Sequence, residues 1–294
     1  DDIVRRFASE QQALARLNHP HIARLLDAGL SVNGAPYFVM ELVEGQSIDR
    51  VCANLTLRER LELFLQLLQA VAHAHARLLI HRDLKPSNVM VDKDKQVKLL
   101  DFGIAKALDP MQAKDANLTV MEQRVLTPAY SSPEQVRGEP VTTATDIYSL
   151  GVLLYGLLTG QKPYGRNATT PAEAAQAVLN EVPDAPSTIK SMSPENPDLA
   201  IAANTLQGDI DNIVLKALRK DPEERYASVD AFAADIRAYL AGYPVSARPL
   251  STWYVMSKWI SRHRVATAMS ALSLLLILGA TALAILQAQR AQQA

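Results

Sequence analysis

The residues best suited to chemistry lie in one short run, His81-Arg82-Asp83-Leu84-Lys85-Pro86-Ser87-Asn88, with Asp101-Phe102-Gly103 following thirteen positions after Asn88. Asp83 is a carboxylate that can orient a hydroxyl and accept its proton. Lys85, two residues on, can neutralise a phosphoryl group in transit. Asn88 and Asp101 offer hard oxygen ligands of the kind Mg2+ prefers. A carboxylate beside the nucleophile, a cation on the phosphate and a pair of metal ligands are the parts that phosphoryl transfer needs.

The pattern H-R-D-L-K-x-x-N followed by D-F-G resembles the protein kinase family, and lysine at the second position after the aspartate is the Ser/Thr form of the loop. The resemblance implies ATP and Mg2+ as cofactors and protein hydroxyls as substrates. It extends to Ser132-Pro133-Glu134, which matches A-P-E with Ser in place of Ala, and to Arg225, which fits the arginine that pairs with that glutamate. Asp146 resembles the aspartate that holds the catalytic-loop backbone. Met40 to Glu44 resembles the hinge that receives adenine, with Glu41 and Val43 as the binding positions. Glu10 sits where the family places the glutamate of the first lobe's helix, and His19-Pro20 fits the turn after it.

The activation segment implied by the same resemblance runs from Asp101 to Glu134. Thr119 is its candidate phosphosite, and Arg82 is the residue that would pair with the phosphate. Thr127 matches the threonine that bridges the catalytic aspartate and lysine. Leu126 departs from the glycine usual beside it, which bears on local backbone geometry and substrate preference. The wording of Ser131-Ser132-Pro133-Glu134-Gln135 is similar to bacterial Hanks-type Ser/Thr kinases, many of which carry a transmembrane helix after the kinase domain.

These residues need a scaffold, and the hydrophobic pattern sketches one. A first helix is expected around Phe7, Glu10, Leu14 and Leu17, ended by Asn18-His19-Pro20. The apolar runs Ile22 to Leu26 and Tyr37 to Leu42, with Asn33-Gly34 between them, predict a hairpin. A long helix is expected over about Leu57 to Leu78, then short strands at Val89 to Val91 and Val97 to Leu100. Asp146 to Leu158 reads as a buried core helix. Further helices are expected at Pro171 to Glu181, Asp209 to Lys220 and Ser228 to Ala241, with Val182 to Gln207 as a loop. Strands first and helices after give an α+β class. The expected architecture is a protein-kinase-like two-lobed domain with a truncated small β lobe, a complete and mainly helical large lobe, and one transmembrane helix.

The chain has 294 residues, 48% hydrophobic, enough to bury a sizeable core. A formal net charge of -1 gives no reason to expect a nucleic-acid partner. The single cysteine, Cys52, excludes an internal disulfide framework, fits a reducing compartment and reads as a small core or surface residue. The segment Val265 to Leu286 carries no charge, and at about 1.5 Å per residue it reaches roughly 33 Å, enough for a hydrocarbon layer of about 30 Å. Lys258, Arg262, His263 and Arg264 precede it and Arg290 alone follows, which places the kinase side in the cytoplasm of a single-pass inner-membrane protein. Trp253, Tyr254 and Trp259 could sit at the interface or pack onto the domain. Ala280 and Ala284 are a small-xxx-small pair that would suit a lipid-facing surface or a homodimer. The expected divisions are 1–44 for a partial small lobe, 45–242 for the large lobe, 243–264 for a juxtamembrane linker, 265–286 for the span and 287–294 for the start of an extracytoplasmic segment.

Before the catalytic loop the only glycines are Gly29, Gly34 and Gly45, and the first lysine of the chain is Lys85. No Gly-rich loop and no partner lysine for Glu10 are present. The expectation is that about the first third of the small lobe has been cut off and that its sheet exposes an edge. This chain alone is then expected to transfer phosphate poorly, since removing one preorganised charged group typically slows a reaction by about 100- to 1000-fold. Two other readings stand beside the kinase: a membrane-anchored pseudokinase or scaffold that binds partners without catalysis, and a phosphotransferase acting on small molecules. The complete catalytic loop weighs against the first, and the Glu134 and Arg225 positions against the second.

Overall fold

The computed structural model describes residues 17–32, 36–102, 128–189, 201, 203–249, 251–263, 267, 269–270 and 272–281. The expected first helix, with Glu10, lies outside these residues apart from Leu17, which is buried.

Two strands, β1 (Leu25–Leu30) and β2 (Pro36–Met40), form an antiparallel pair from Leu25↔Met40 to Leu30↔Pro36, with a register shift between Leu25 and Asp27. The first strand begins three residues later than the apolar run suggested. The backbone before it is already engaged: Ala23 N–H donates to the Leu99 carbonyl and Leu99 N–H to the His21 carbonyl, both at 2.9 Å. Ile22 thus makes an isolated parallel bridge to Leu99 and stays outside the hairpin.

The second sheet has the order β3-β4-β5 and is antiparallel throughout: β3 (Gly45–Ser47), β4 (Val89–Asp92) and β5 (Val97–Leu99). Alternation decides its faces, with Val89, Val91, Val97 and Leu99 all buried. Gly45 is needed for close approach, since a Cβ there would collide with the Val91 carbonyl.

The helices build the rest. After α1 (Ile48–Cys52), α2 (Leu57–His75) starts at a capping box in which Glu59 N–H donates to Thr56 Oγ1 and Thr56 N–H to Glu59 Oε2. It buries Leu61, Phe64, Leu68 and Val71 along one stripe. A short α3 (Pro133–Arg137) ends at Gly138, whose φ of 73° suits glycine. It leads to α4 (Thr143–Thr159), the central core helix. Leu150, Leu154 and Leu158 on α4 are fully buried, each contributing roughly 1.5–3 kcal/mol of transfer free energy. Gly151 lets the next layer approach, because a Cβ there would lie 2.8 Å from Ala217 Cβ.

Then come α5 (Pro171–Asn180), capped by Thr170, and α6 (Ala203–Leu206), α7 (Asp209–Ala217) and α8 (Val229–Leu240). The stretch expected to be a loop before α7 contains a 3-10 turn, Pro186–Thr188, as well as α6. Asp211 pins that turn by accepting from Ser187 N–H at 2.9 Å and Ser187 Oγ at 2.7 Å. Hydrophobic spacing carries no signal for such a side-chain tie.

The described residues of the expected linker, 243–249 and 251–263, are folded instead. Gly242, at φ 73°, turns the chain back, Val245 is fully buried, and α9 (Thr252–Arg262) follows. Two buried carboxylates hold this segment. Asp235 accepts from Ser246 N–H at 2.6 Å and Ala247 N–H at 2.8 Å, and Asp209 takes Lys258 Nζ at 2.6 Å. The packed unit therefore continues past the boundary placed at residue 242. Among the described residues no helix is long and apolar enough to cross a membrane. The charge-free run 265–286 falls partly outside them, and its described residues are helical.

Candidate active site

The loop carrying His81 to Asn88 lies between α2 and β4, and its shape is imposed by a buried carboxylate. Asp146, in the first turn of α4, is fully buried. Its Oδ2 accepts from His81 N–H at 2.8 Å and meets His75 Nε2 at 2.7 Å, and its Oδ1 accepts from Arg82 N–H at 2.9 Å. Arg82 is held at φ 66°, a conformation costly for a non-glycine residue unless neighbours determine it. The two hydrogen bonds to Asp146 supply that determination.

His81 is a second fixed point. Asp83 N–H donates to its Nδ1 at 3.3 Å, so Nε2 carries the proton that goes to the Leu100 carbonyl at 2.9 Å. Burial lowers its pKa, against the opposing pull of Asp146, and the ring is neutral, as this tautomer requires. The ring also packs against Phe102, with centroids 4.7 Å apart.

These supports bring the polar groups together. Lys85 Nζ lies 2.8 Å from Asp83 Oδ2. Asn88 Nδ2 donates to the Asp83 carbonyl at 2.9 Å and to Asp83 Oδ2 at 3.2 Å. Both partners are acceptors, so the amide nitrogen must face them, and Oδ1, which accepts a long bond from Ser87 Oγ at 3.5 Å, is the atom with a lone pair left for a cation. Leu100 N–H donates to the Asn88 carbonyl at 2.8 Å, tying the loop to the segment that ends at Asp101. Asp101 is exposed and held at φ 39°. Among the described residues no group of three His, Cys, Asp or Glu could hold a metal by itself. The Asn88 and Asp101 oxygens suit a hard divalent ion that takes its remaining ligands from phosphate and water.

Glu134 and Arg225 form a buried ion pair. Arg225 uses all five of its N–H donors: two bonds to the Glu134 carboxylate, and one each to the Arg219, Lys220 and Ala144 carbonyls, all at 2.8–2.9 Å. Thr145 Oγ1 adds a bond to Glu134 at 2.8 Å. Burial alone would raise the Glu134 pKa, but the Arg225 hydrogen bonds and charge outweigh it and hold it below the usual carboxylate value.

At the other edge, Glu41 and Val43 lie in the irregular stretch between β2 and β3. Glu41 N–H donates to the Arg24 carbonyl at 2.9 Å, and its side chain pairs with Lys98 at 2.6 Å. Thr119 and Thr127 lie outside the described residues.

Two supporting residues escaped the sequence reading. His75 backs Asp146 from the last turn of α2. Gln135 donates from Nε2 to the Arg82 carbonyl at 2.9 Å while accepting from Ser132 N–H at 3.0 Å. The second role has a signal, since Ser132-x-x-Gln135 is a capping-box pattern. The first joins residues 53 positions apart, and no local pattern encodes it.

Small antiparallel sheets over a helical layer, with a carboxylate, a lysine and an amide converging on one loop, define an α+β domain built for phosphoryl chemistry. A family model described as protein kinase domain matches residues 1–235, and the chain belongs to that family. It is 39% identical over 250 residues to a probable serine/threonine-protein kinase of Streptomyces coelicolor, covering 82% of this chain and 34% of that protein. It is 37% identical over 260 residues to the probable serine/threonine-protein kinase PknB of Bifidobacterium longum, covering 84% and 35%. The chain thus spans about a third of the length of these curated relatives. Among solved structures it is similar to the Mycobacterium tuberculosis PknI kinase domain, with a TM-score of 0.58, 28% identity and coverage of 82% of this chain and 80% of that one.

Proposed function

We propose that this chain is the kinase portion of a membrane-anchored Ser/Thr protein kinase that moves the γ-phosphoryl group of ATP to protein hydroxyls. The observation that carries the reading is Asp83 with Lys85 and Asn88 each within hydrogen-bonding distance of it, on a loop fixed by buried Asp146. In this reading Asp83 orients the substrate hydroxyl and takes its proton as the phosphorus–oxygen bond forms. Lys85 neutralises charge on the transferring group, and Thr127 bridges the two. Asn88 Oδ1 and the Asp101 carboxylate would hold Mg2+, which when bound neutralises phosphate charge. Glu41 and Val43 would receive adenine through their backbones. Glu10 would take the position of the small-lobe helix glutamate. Arg82 would meet a phosphate on Thr119, and the Glu134–Arg225 pair would anchor the segment on which the protein substrate rests.

Membrane attachment through 265–286 belongs to the same proposal, with the kinase domain cytoplasmic and the helix a route to a homodimer. Its support is the run itself: Met269, Leu272, Leu274, Leu275, Leu276, Ile277 and Leu278 are all exposed on a helix. Such a surface suits lipid better than water.

The test uses the full chain in lipid vesicles with radiolabelled ATP, Mg2+ and a general protein acceptor. Slow labelling of serine and threonine, above the Asp83→Asn background, is the expected result. Binding of ATP and Mg2+ with no label above the Asp83→Asn background would overturn catalysis and favour a scaffold.

A further inference from the structure

Helix α9 is inside out. At about 100° per residue, Tyr254 and Lys258 share one face of Thr252–Arg262, and that polar face is the one turned to the protein. Tyr254 is buried. Its hydroxyl donates to Asp209 Oδ1 and accepts from Val245 N–H, both at 3.0 Å. Lys258 Nζ reaches Asp209 Oδ2 at 2.6 Å. Arg248 approaches the same carboxylate at 3.6 Å, and the Arg262 guanidinium lies 3.8 Å from the centre of the Tyr243 ring.

The outward face is apolar. Trp253 is 76% exposed, Met256 52% and Trp259 51%, with Val255 and Ile260 exposed beside them. A helix packed on a soluble domain turns its apolar stripe inward. A contiguous exposed patch of this kind marks an interaction surface. Two tryptophans among aliphatic side chains, with the His263 ring 5.1 Å from that of Trp259 and Arg262 ending the helix, are the chemistry of the headgroup layer of an anionic bilayer. Chain continuity points the same way, since α9 ends at Arg262 and the charge-free run begins at Val265.

We infer that α9 lies in the plane of the membrane with its apolar face in the headgroup region, and that the Asp209 clamp fixes the large lobe in one orientation to the bilayer. The inference rests on the reading of 265–286 as a span. It adds that the connection between domain and span is a rigid dock, so the height and facing of the active site above the membrane are set by Asp209, Tyr254 and Lys258.

Trp253 and Trp259 are the only tryptophans of the chain, so intrinsic fluorescence reads this helix alone. The full chain is reconstituted in phosphatidylcholine–phosphatidylglycerol vesicles whose acyl chains carry bromine near the carbonyl end or at mid-chain. The expected result is a blue-shifted emission, quenching mainly by bromine near the carbonyl end, and loss of quenching by aqueous iodide. A chain that resists alkaline extraction, yet whose tryptophans answer to iodide and to neither bromolipid, keeps its span and overturns the dock. A chain released by alkali refutes the span. Bromolipid quenching before that wash still supports an in-plane helix, and its absence overturns it. Blue-shifted emission that ignores bromine and reverts on dilution with empty vesicles means that a second copy covers the patch, and also overturns the dock. For the clamp, Lys258→Met should retain bromolipid quenching while the amides of 252–262 lose hydrogen-exchange protection. Unchanged protection removes the clamp from the proposal.

Discussion

Glu134 and Arg225, 91 positions apart, meet through two parallel hydrogen bonds of 2.8 Å with both side chains almost completely buried. The pair joins α3 to the segment after α7, and Thr145, Ala144, Arg219 and Lys220 satisfy what remains of both groups. A buried charge pair contributes little net stability over an apolar substitute but is costly to break on one side.

Arg225→Ala should therefore cost about 3–5 kcal/mol, because the Glu134 carboxylate is left charged and unpaired in the core. Arg225→Lys should recover part of that loss, since an ammonium cannot reproduce five donors in a planar fork. In urea denaturation the Glu134→Ala, Arg225→Ala double variant should lose less than the sum of the two single losses. Strict additivity would mean that the two side chains are not energetically coupled.

Asp83→Asn keeps the size of the side chain and removes its ability to accept a proton, so the phosphoryl-transfer rate should fall by about 100- to 10,000-fold. Lys85→Ala should cost about 100- to 1000-fold. Both side chains are partly exposed, so the thermal midpoint should hardly move. Steady-state kinetics beside calorimetry checks both statements. A collapse of the midpoint would assign the loss to folding.

Asn88→Ala and Asp101→Asn should each raise the Mg2+ concentration for half-maximal rate by at least about tenfold, a cost that the loss of even an outer-sphere partner carries. A Mg2+ titration at saturating ATP measures it. An unshifted midpoint with a lower plateau would remove these oxygens from the metal site.

His19 gives a pH signature. Burial first, then the charges of His73, His21 and Arg77, lower its pKa from 6.5 to about 4. The unfolded chain takes up a proton near pH 6.5 that the folded one refuses, so this contribution to stability is full above pH 6.5 and is lost as pH falls toward about 4. The rings of His19 and His73 lie 4.8 Å apart, so protonation would bring two cations together. His19→Asn should flatten the fall of the thermal midpoint over that window. An identical slope in both proteins would refute the assignment.

Cys52 is fully buried, and burial pushes its thiol up to about 12. It should resist iodoacetamide at pH 8 in the folded protein and react at the rate of global unfolding. Rapid native labelling would mean that the α1 region opens locally.

The strongly periodic helices and the β4–β5 pair were legible because burial of one face leaves a repeating mark on local sequence. The catalytic run was legible because its groups lie within eight consecutive positions, His81 to Asn88. The strand start at Leu25 was misplaced by three residues because hydrogen bonds to β5, more than seventy positions away, claim the backbone at 21–23. The segment after Gly242 read as a linker because its attachment runs through Asp209 and Asp235, whose partners are distant and polar, and hydrophobic periodicity does not register such ties.

By itself the sequence pointed to the protein kinase family, through the motif residues His81 to Asn88 and Asp101 to Gly103, and to the α+β class, through the periods of its apolar residues. Only the tertiary structure decided what else secures the loop that Asp146 holds. Gln135 on α3 reaches the Arg82 carbonyl, and His75 on α2 braces the Asp146 carboxylate. The tertiary structure alone also decided that α9 turns its polar face inward. Which face of a helix is covered depends on the partner it meets, and for α9 that partner is a buried carboxylate on α7, a relationship that exists only once the chain has folded.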